Sequence, residues 1–154
     1  MIQQFKKVLN RAEEQCKENG TRLTPKRRQI LSELIKSNKA LSAYELADLF
    51  KKEFKETIPT MSVYRILDFL ERENLVHKLN LANKYIACAH ITCRHSHDIP
   101  QFLICRSCNK VREISIDKIT IGRIQKKVEK AEFELVNPQL EMHCVCKVCE
   151  KENY

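Results

Sequence analysis

Thr60-Met-Ser-Val-Tyr-Arg-Ile-Leu-Asp-Phe-Leu70, followed by Leu75-Val-His-Lys-Leu79 and Lys84-Tyr-Ile-Ala87, is the stretch that decides the fold. In the first run Val63, Ile66, Leu67 and Leu70 recur at i, i+3, i+4 and i+7, the spacing that lines one face of an α-helix. Pro59 and Thr60 precede that helix, and it ends near Asn74. Tyr64, Arg65 and Asp68 fall off the apolar stripe, which predicts an aromatic ring and a guanidinium in solvent near the helix N-terminus. The two shorter runs read as strands around a polar turn at Asn80 to Asn83. A helix passing directly into such a hairpin is the second half of a winged helix-turn-helix.

Working back toward the N-terminus supplies the first half. Ser42-Ala-Tyr-Glu45 has the form of a capping box and opens a helix through about Phe54. Thr24-Pro25 starts another, with Ile30, Leu31, Leu34 and Ile35 as its buried stripe. Ahead of it Ile2, Phe5, Val8, Leu9, Ala12 and Cys16 predict an amphipathic helix over 2–18, stopped by Asn19-Gly20. The last of three helices in a winged helix-turn-helix enters the major groove with its N-terminal residues on base edges.

Charge agrees with that reading. The 154-residue chain carries a formal +8, and residues 1–88 hold +6 of it. A basic half joined to a near-neutral half points to a polyanionic partner for the first. Hydrophobic residues at 43% and charged residues at 31% suit a globular chain rather than a disordered one. No apolar run approaches the ~18 residues of a membrane span, and the N-terminus has no apolar signal-peptide core, so the expected location is the cytoplasm.

Cysteines divide the chain the other way. Cys88, Cys93, Cys105, Cys108, Cys144, Cys146 and Cys149 all lie in the second part, with only Cys16 in the first. In a reducing compartment, paired cysteines mixed with histidines are metal ligands more often than disulfides. Cys105-x-x-Cys108 with Cys146-x-x-Cys149 can supply the tetrahedral thiolate set that zinc prefers. A redox Cys-x-x-Cys fits less well, because there are two pairs and no thioredoxin-like βαβ pattern.

Around these ligands the sequence predicts a small α/β module. Phe102–Cys105 and Val111–Ile116 read as strands, and Asp117 caps a helix whose stripe is Ile121, Ile124, Val128 and Ala131. Phe133–Val136 and Leu140–His143 continue as extended structure. A module of about 60 residues has a thin core and needs a metal or a partner subunit. The expected domains are thus 1–87, a winged helix-turn-helix for DNA binding, and 88–154, for dimerisation and metal binding.

His77, Cys88, His90, Cys93, His95, His97, Glu113 and His143 form a second, mixed group of candidate ligands. A site drawing on both halves would fix the angle between them and so couple metal to DNA binding. Enzyme chemistry has no foothold here. His-Glu-x-x-His and the zinc-deaminase signature are both absent, and Gly20 and Gly122 are the only glycines available for a phosphate-cradling loop. A non-regulatory zinc-binding protein would explain the cysteines but not the Tyr64-Arg65 helix.

Arg22-Leu-Thr-Pro25, Leu41-Ser-Ala-Tyr44, Ser62 to Leu70, Leu75-Val-His-Lys78, Tyr85-Ile-Ala-Cys88, Leu103-Ile-Cys-Arg-Ser-Cys108 and His143-x-x-Cys-x-x-Cys149 together resemble bacterial metal-responsive repressors of the ferric uptake regulator family, its zinc-sensing members most closely. The resemblance implies a homodimer on double-stranded operator DNA. It implies about two Zn2+ per subunit, a structural ion on Cys105, Cys108, Cys146 and Cys149 and a regulatory ion on His77, Cys88, His97 and Glu113. Tyr44, Tyr64 and Arg65 are the implied DNA contacts. Cys88 separates zinc sensing from the iron- or peroxide-sensing alternative, since a thiolate favours zinc. The segment from Cys88 to Cys105 is slightly longer than in zinc sensors. His95 is therefore the alternative to His97, and a third metal near His90 and Cys93 is the other outcome.

Overall fold

The computed structural model describes residues 1–93 and 99–152. The chain forms two compact units, Met1–Arg94 and His95–Tyr154. In the first, α1 (Ile2–Glu18), α2 (Pro25–Ser37), α3 (Ala43–Phe54) and α4 (Thr60–Arg72) precede a hairpin of β1 (Val76–Leu79) and β2 (Lys84–Ala87). Local signals set the helix limits. Thr24 Oγ1 accepts from Arg27 N–H, and Ser42 and Glu45 complete a capping box. Helices α1 and α4 both leave through a residue at positive φ, Gly20 at +73° and Asn74 at +57°. The next N–H then reaches back, Thr21 to Cys16 C=O and Leu75 to Leu70 C=O.

One apolar cluster joins the elements of this unit. Ile30, Leu31, Leu46, Phe50, Val63, Leu67, Leu70 and Leu75 meet there, with Leu9, Ala12 and Cys16 of α1 added from one side. Arg28 fastens α1 to α2: its guanidinium donates to Asn10 Oδ1 and Glu13 Oε2, both at 3.1 Å. The hairpin is antiparallel, with Val76 opposite Ala87 and Leu79 opposite Lys84. Leu41 extends it by one bridge, exchanging N–H···O=C bonds of 2.9 and 2.8 Å with Tyr85. The wing is thereby bonded to the residue before the α3 cap.

In the second unit β3 (Pro100–Cys105) is central, antiparallel to β4 (Val111–Ser115) and parallel to β5 (Glu141–Cys144). α5 (Lys118–Lys130) connects β4 to β5, and α6 (Lys147–Glu152) follows β5. Asp117 caps α5 as expected, through Thr120 N–H at 2.8 Å. Its expected stripe is only half-buried at Ile121, Ile124 and Val128, and Ala131 is exposed.

Two further expectations are corrected. Phe133–Val136 is not a strand. Glu132 takes φ +63° and Phe133 N–H closes on Val128 C=O at 3.1 Å, so the first residue of the alternating run belongs to the helix exit. Tyr64 is half-buried against the core of the first unit rather than placed in solvent. Among the described residues, no helix is long and apolar enough to cross a membrane.

Candidate metal centre and nucleic-acid interface

Cys105 ends β3 and Cys108 lies in the turn after it. Cys146 follows β5 and Cys149 sits in α6. Backbone bonds shape the cradle. Asn109 at φ +59° returns the turn, its N–H on Cys105 C=O at 3.0 Å, and Arg106 N–H reaches Cys144 C=O at 2.9 Å. Glu150 N–H bonds Cys146 C=O at 2.9 Å and opens α6 so that Cys149 faces back. The four sulfurs all lie within 4.8 Å of one another. Cys108 Sγ and Cys146 Sγ are 3.8 Å apart, far beyond a disulfide bond. A tetrahedron with zinc–sulfur bonds of about 2.3 Å has edges of about 3.8 Å. The donor set therefore fits a single tetrahedral zinc.

The thiols and the backbone around them shift one another. Backbone N–H groups, that of Cys108 first and that of Cys146 next, lower the Cys105 thiol to about 6. The N–H of Cys149 lowers Cys146 too. Cys149 is pushed up to about 12, mainly by the sulfur of Cys146 beside it. Zinc binds the thiolate, so metal binding at such a cluster releases the protons that remain on it.

Of the second ligand group, the first unit carries His77 and Cys88. His77 is half-buried on β1, opposite Ile86. Cys88 follows β2, is buried, and is fixed by its N–H on Leu75 C=O at 2.9 Å. Their ligating atoms approach within 4.8 Å. His90 N–H turns onto the Cys88 sulfur at 3.4 Å, and Cys93 N–H closes on His90 C=O at 2.9 Å. Glu113 is on β4 of the second unit, half-buried and paired with Phe102. His97 and its alternative His95 lie outside the described residues.

The DNA-facing candidates all belong to the first unit. Arg65 is exposed in the second turn of α4, with Tyr64 half-buried beside it. Tyr44 is 65% exposed in the first turn of α3. Two features escaped the sequence reading. Met61, 67% exposed in the first turn of α4, adds an apolar group one turn before Arg65. Lys84 Nζ pairs with Glu45 Oε1 at 3.1 Å and ties β2 to the cap beside Tyr44. Glu45 is held below its ordinary carboxylate value, chiefly by the Ser42 N–H it accepts and then by Lys84. A Glu four residues into a capping box announces the cap but not its second partner across the wing.

Known proteins resemble this chain over most of its length. The chain is 32% identical over 142 residues to the zinc uptake regulation protein of Escherichia coli (strain K12), covering 92% of this chain and 81% of that protein. It is 29% identical to the ferric uptake regulation protein of Helicobacter pylori (strain ATCC 700392 / 26695), covering 97% and 96%. A zinc uptake regulator complexed with zinc and DNA superposes with a TM-score of 0.85 at 28% identity, over 97% of each chain. Residues 18–151 match the sequence model of the ferric uptake regulator family. With four helices and a wing in one unit and a cysteine-clasped sheet in the other, this chain belongs to the ferric uptake regulator family.

Proposed function

We propose that the protein is a zinc-responsive transcriptional repressor of zinc uptake genes, working in the cytoplasm as a homodimer on double-stranded operator DNA. The observation that carries the zinc reading is the pairing of a buried thiol, Cys88, with the imidazole of His77 on the DNA-binding side. Iron sensing is better served by oxygen and nitrogen donors alone, whereas zinc takes thiolate readily. In this reading Cys105, Cys108, Cys146 and Cys149 hold a structural zinc, and His77, Cys88, His97 and Glu113 hold the regulatory one. Residues 1–87 bind DNA and residues 88–154 dimerise and bind metal.

Recognition follows from the exposed groups. Arg65 reads a purine edge through its two parallel N–H donors, and Tyr44 contacts the backbone or a base. Tyr64 packs on a thymine methyl or touches a phosphate. Two such helices in a dimer select a roughly palindromic, AT-rich operator with half-sites about one helical turn apart. Coupling is reciprocal, so the factor by which zinc tightens DNA binding is the factor by which operator tightens zinc binding.

The test titrates operator binding against buffered zinc, iron and manganese, with Cys88→Ser alongside. Zinc alone should drive wild-type binding. Cys88→Ser should keep the structural zinc and the dimer but lose the response, because a serine hydroxyl stays protonated where a thiol ionises on the metal. Iron-driven binding by the wild type, or full zinc response by Cys88→Ser, overturns this assignment.

A further inference from the structure

Gln101 is a fully buried polar side chain in the second unit. A primary amide is costly in such a place unless both its ends are paired. Here they are. Nε2 donates to Pro138 C=O at 3.0 Å and to Ile99 C=O at 3.4 Å, while Oε1 accepts from Leu140 N–H. Pro138 and Leu140 precede β5, in a stretch outside any strand. Phe102 N–H takes the carbonyl of Leu140 at 2.9 Å. Leu140 is thus gripped twice, through its N–H by the Gln101 side chain and through its C=O by the backbone of the next residue. From that point the parallel ladder runs from Phe102 opposite Glu141 to Cys105 opposite Cys144.

Register here has chemical weight. A one-residue slip of β5 would shift the following cysteines by roughly 3.3 Å and turn β5 over. A site whose sulfurs lie within 4.8 Å of one another does not survive that displacement. We propose that Gln101 is a positioning residue for the cysteine metal centre: its amide fixes where β5 begins and so delivers Cys146 and Cys149 to Cys105 and Cys108. The proposal rests on reading those four cysteines as metal ligands.

The experiment uses full-length, zinc-loaded protein in a Cys88→Ser background, and follows zinc transfer to a coloured chelator such as 4-(2-pyridylazo)resorcinol. Gln101→Leu should release zinc about tenfold faster, since it strands a buried N–H and a buried carbonyl. Reloaded with Co2+, it should lose the absorption signature of four-thiolate coordination. Gln101→Asn keeps a donor and an acceptor on a stem one methylene shorter; it should fall between Gln101→Leu and the parent, and it carries the test if Gln101→Leu does not fold. A purely structural role would lower thermal stability yet leave release rate and cobalt spectrum as in the parent, and that result overturns the proposal. A parent protein with no zinc on these cysteines would instead overturn the metal reading beneath it.

Discussion

The two units reach stability by different routes. The first buries a continuous aliphatic and aromatic cluster drawn from four helices and a hairpin. Among the described residues of the second, the buried apolar ones are Phe102, Ile104, Cys105, Val111 and Cys149, and two of these are cysteines of the candidate metal centre. Its longest helix has no buried residue, and Ile119, Phe133 and Val136 stand 71%, 74% and 89% exposed. The contrast teaches that one half of the chain is organised by hydrophobic burial. The other buries too little of its own apolar surface to be organised that way, and in the proposed reading an ion and a partner subunit supply the rest.

The largest expected effect separates the two directly. Cys105→Ser should cost the second unit its metal, its fold and the dimer, because structural zinc contributes about 10–16 kcal/mol in small zinc-dependent domains. The first unit should retain its helical signal. Metal content, sedimentation and circular dichroism check this, and a zinc-replete native dimer would break the comparison.

Next in size is the converse experiment. Leu67→Ala, at a fully buried position in α4, should destabilise the first unit by about 2–5 kcal/mol and leave zinc stoichiometry unchanged. Denaturant unfolding with metal analysis shows whether the units respond separately.

Arg65→Ala sharpens the comparison at the level of function. The residue is exposed, so fold and zinc content should stay as they are while operator affinity falls by about 1–3 kcal/mol, with relaxed preference at one base position. An equal loss on every sequence would make Arg65 a phosphate contact.

The smallest effect is electrostatic. Glu45 is held below its ordinary value, so its contribution is present above the unfolded pKa of ~4.3 and lost as pH falls through the folded value. Glu45→Gln should therefore cost below about 1 kcal/mol near neutrality, because the side chain is 46% exposed, and nothing in acid. A pH series of unfolding midpoints for the first unit, wild type against variant, reads that convergence.

How much was legible follows the same division. Thr24, Ser42 and Asp117 announced their helices because a cap is a short-range bond between neighbours. The Val63-to-Leu70 stripe and the hairpin after it were legible for the same reason. Phe133–Val136 alternates like a strand, yet whether a strand exists depends on a distant partner, and β3 is taken by Glu141–Cys144 instead. Gln101 stood unremarked before an apolar run, since nothing local shows that its amide meets a carbonyl 37 residues away. Tyr64 was misplaced by counting helical faces, which ignores how far a large ring can lean toward the core. The cysteine set was legible because metal-ligand spacing is itself a sequence pattern; its sulfur-to-sulfur fit was not.

That fit reaches beyond the native state. Cys108 and Cys146 are 38 positions apart with the whole of α5 between them. An ion that stays bound to both closes a loop around that helix even when the sheet has come apart. By chain-entropy arguments a cross-link of such span removes about 4 kcal/mol from the freedom of the unfolded chain. A heated, metal-loaded protein should consequently recover faster than one stripped before heating, because the search for β5 begins with its two ends already tethered.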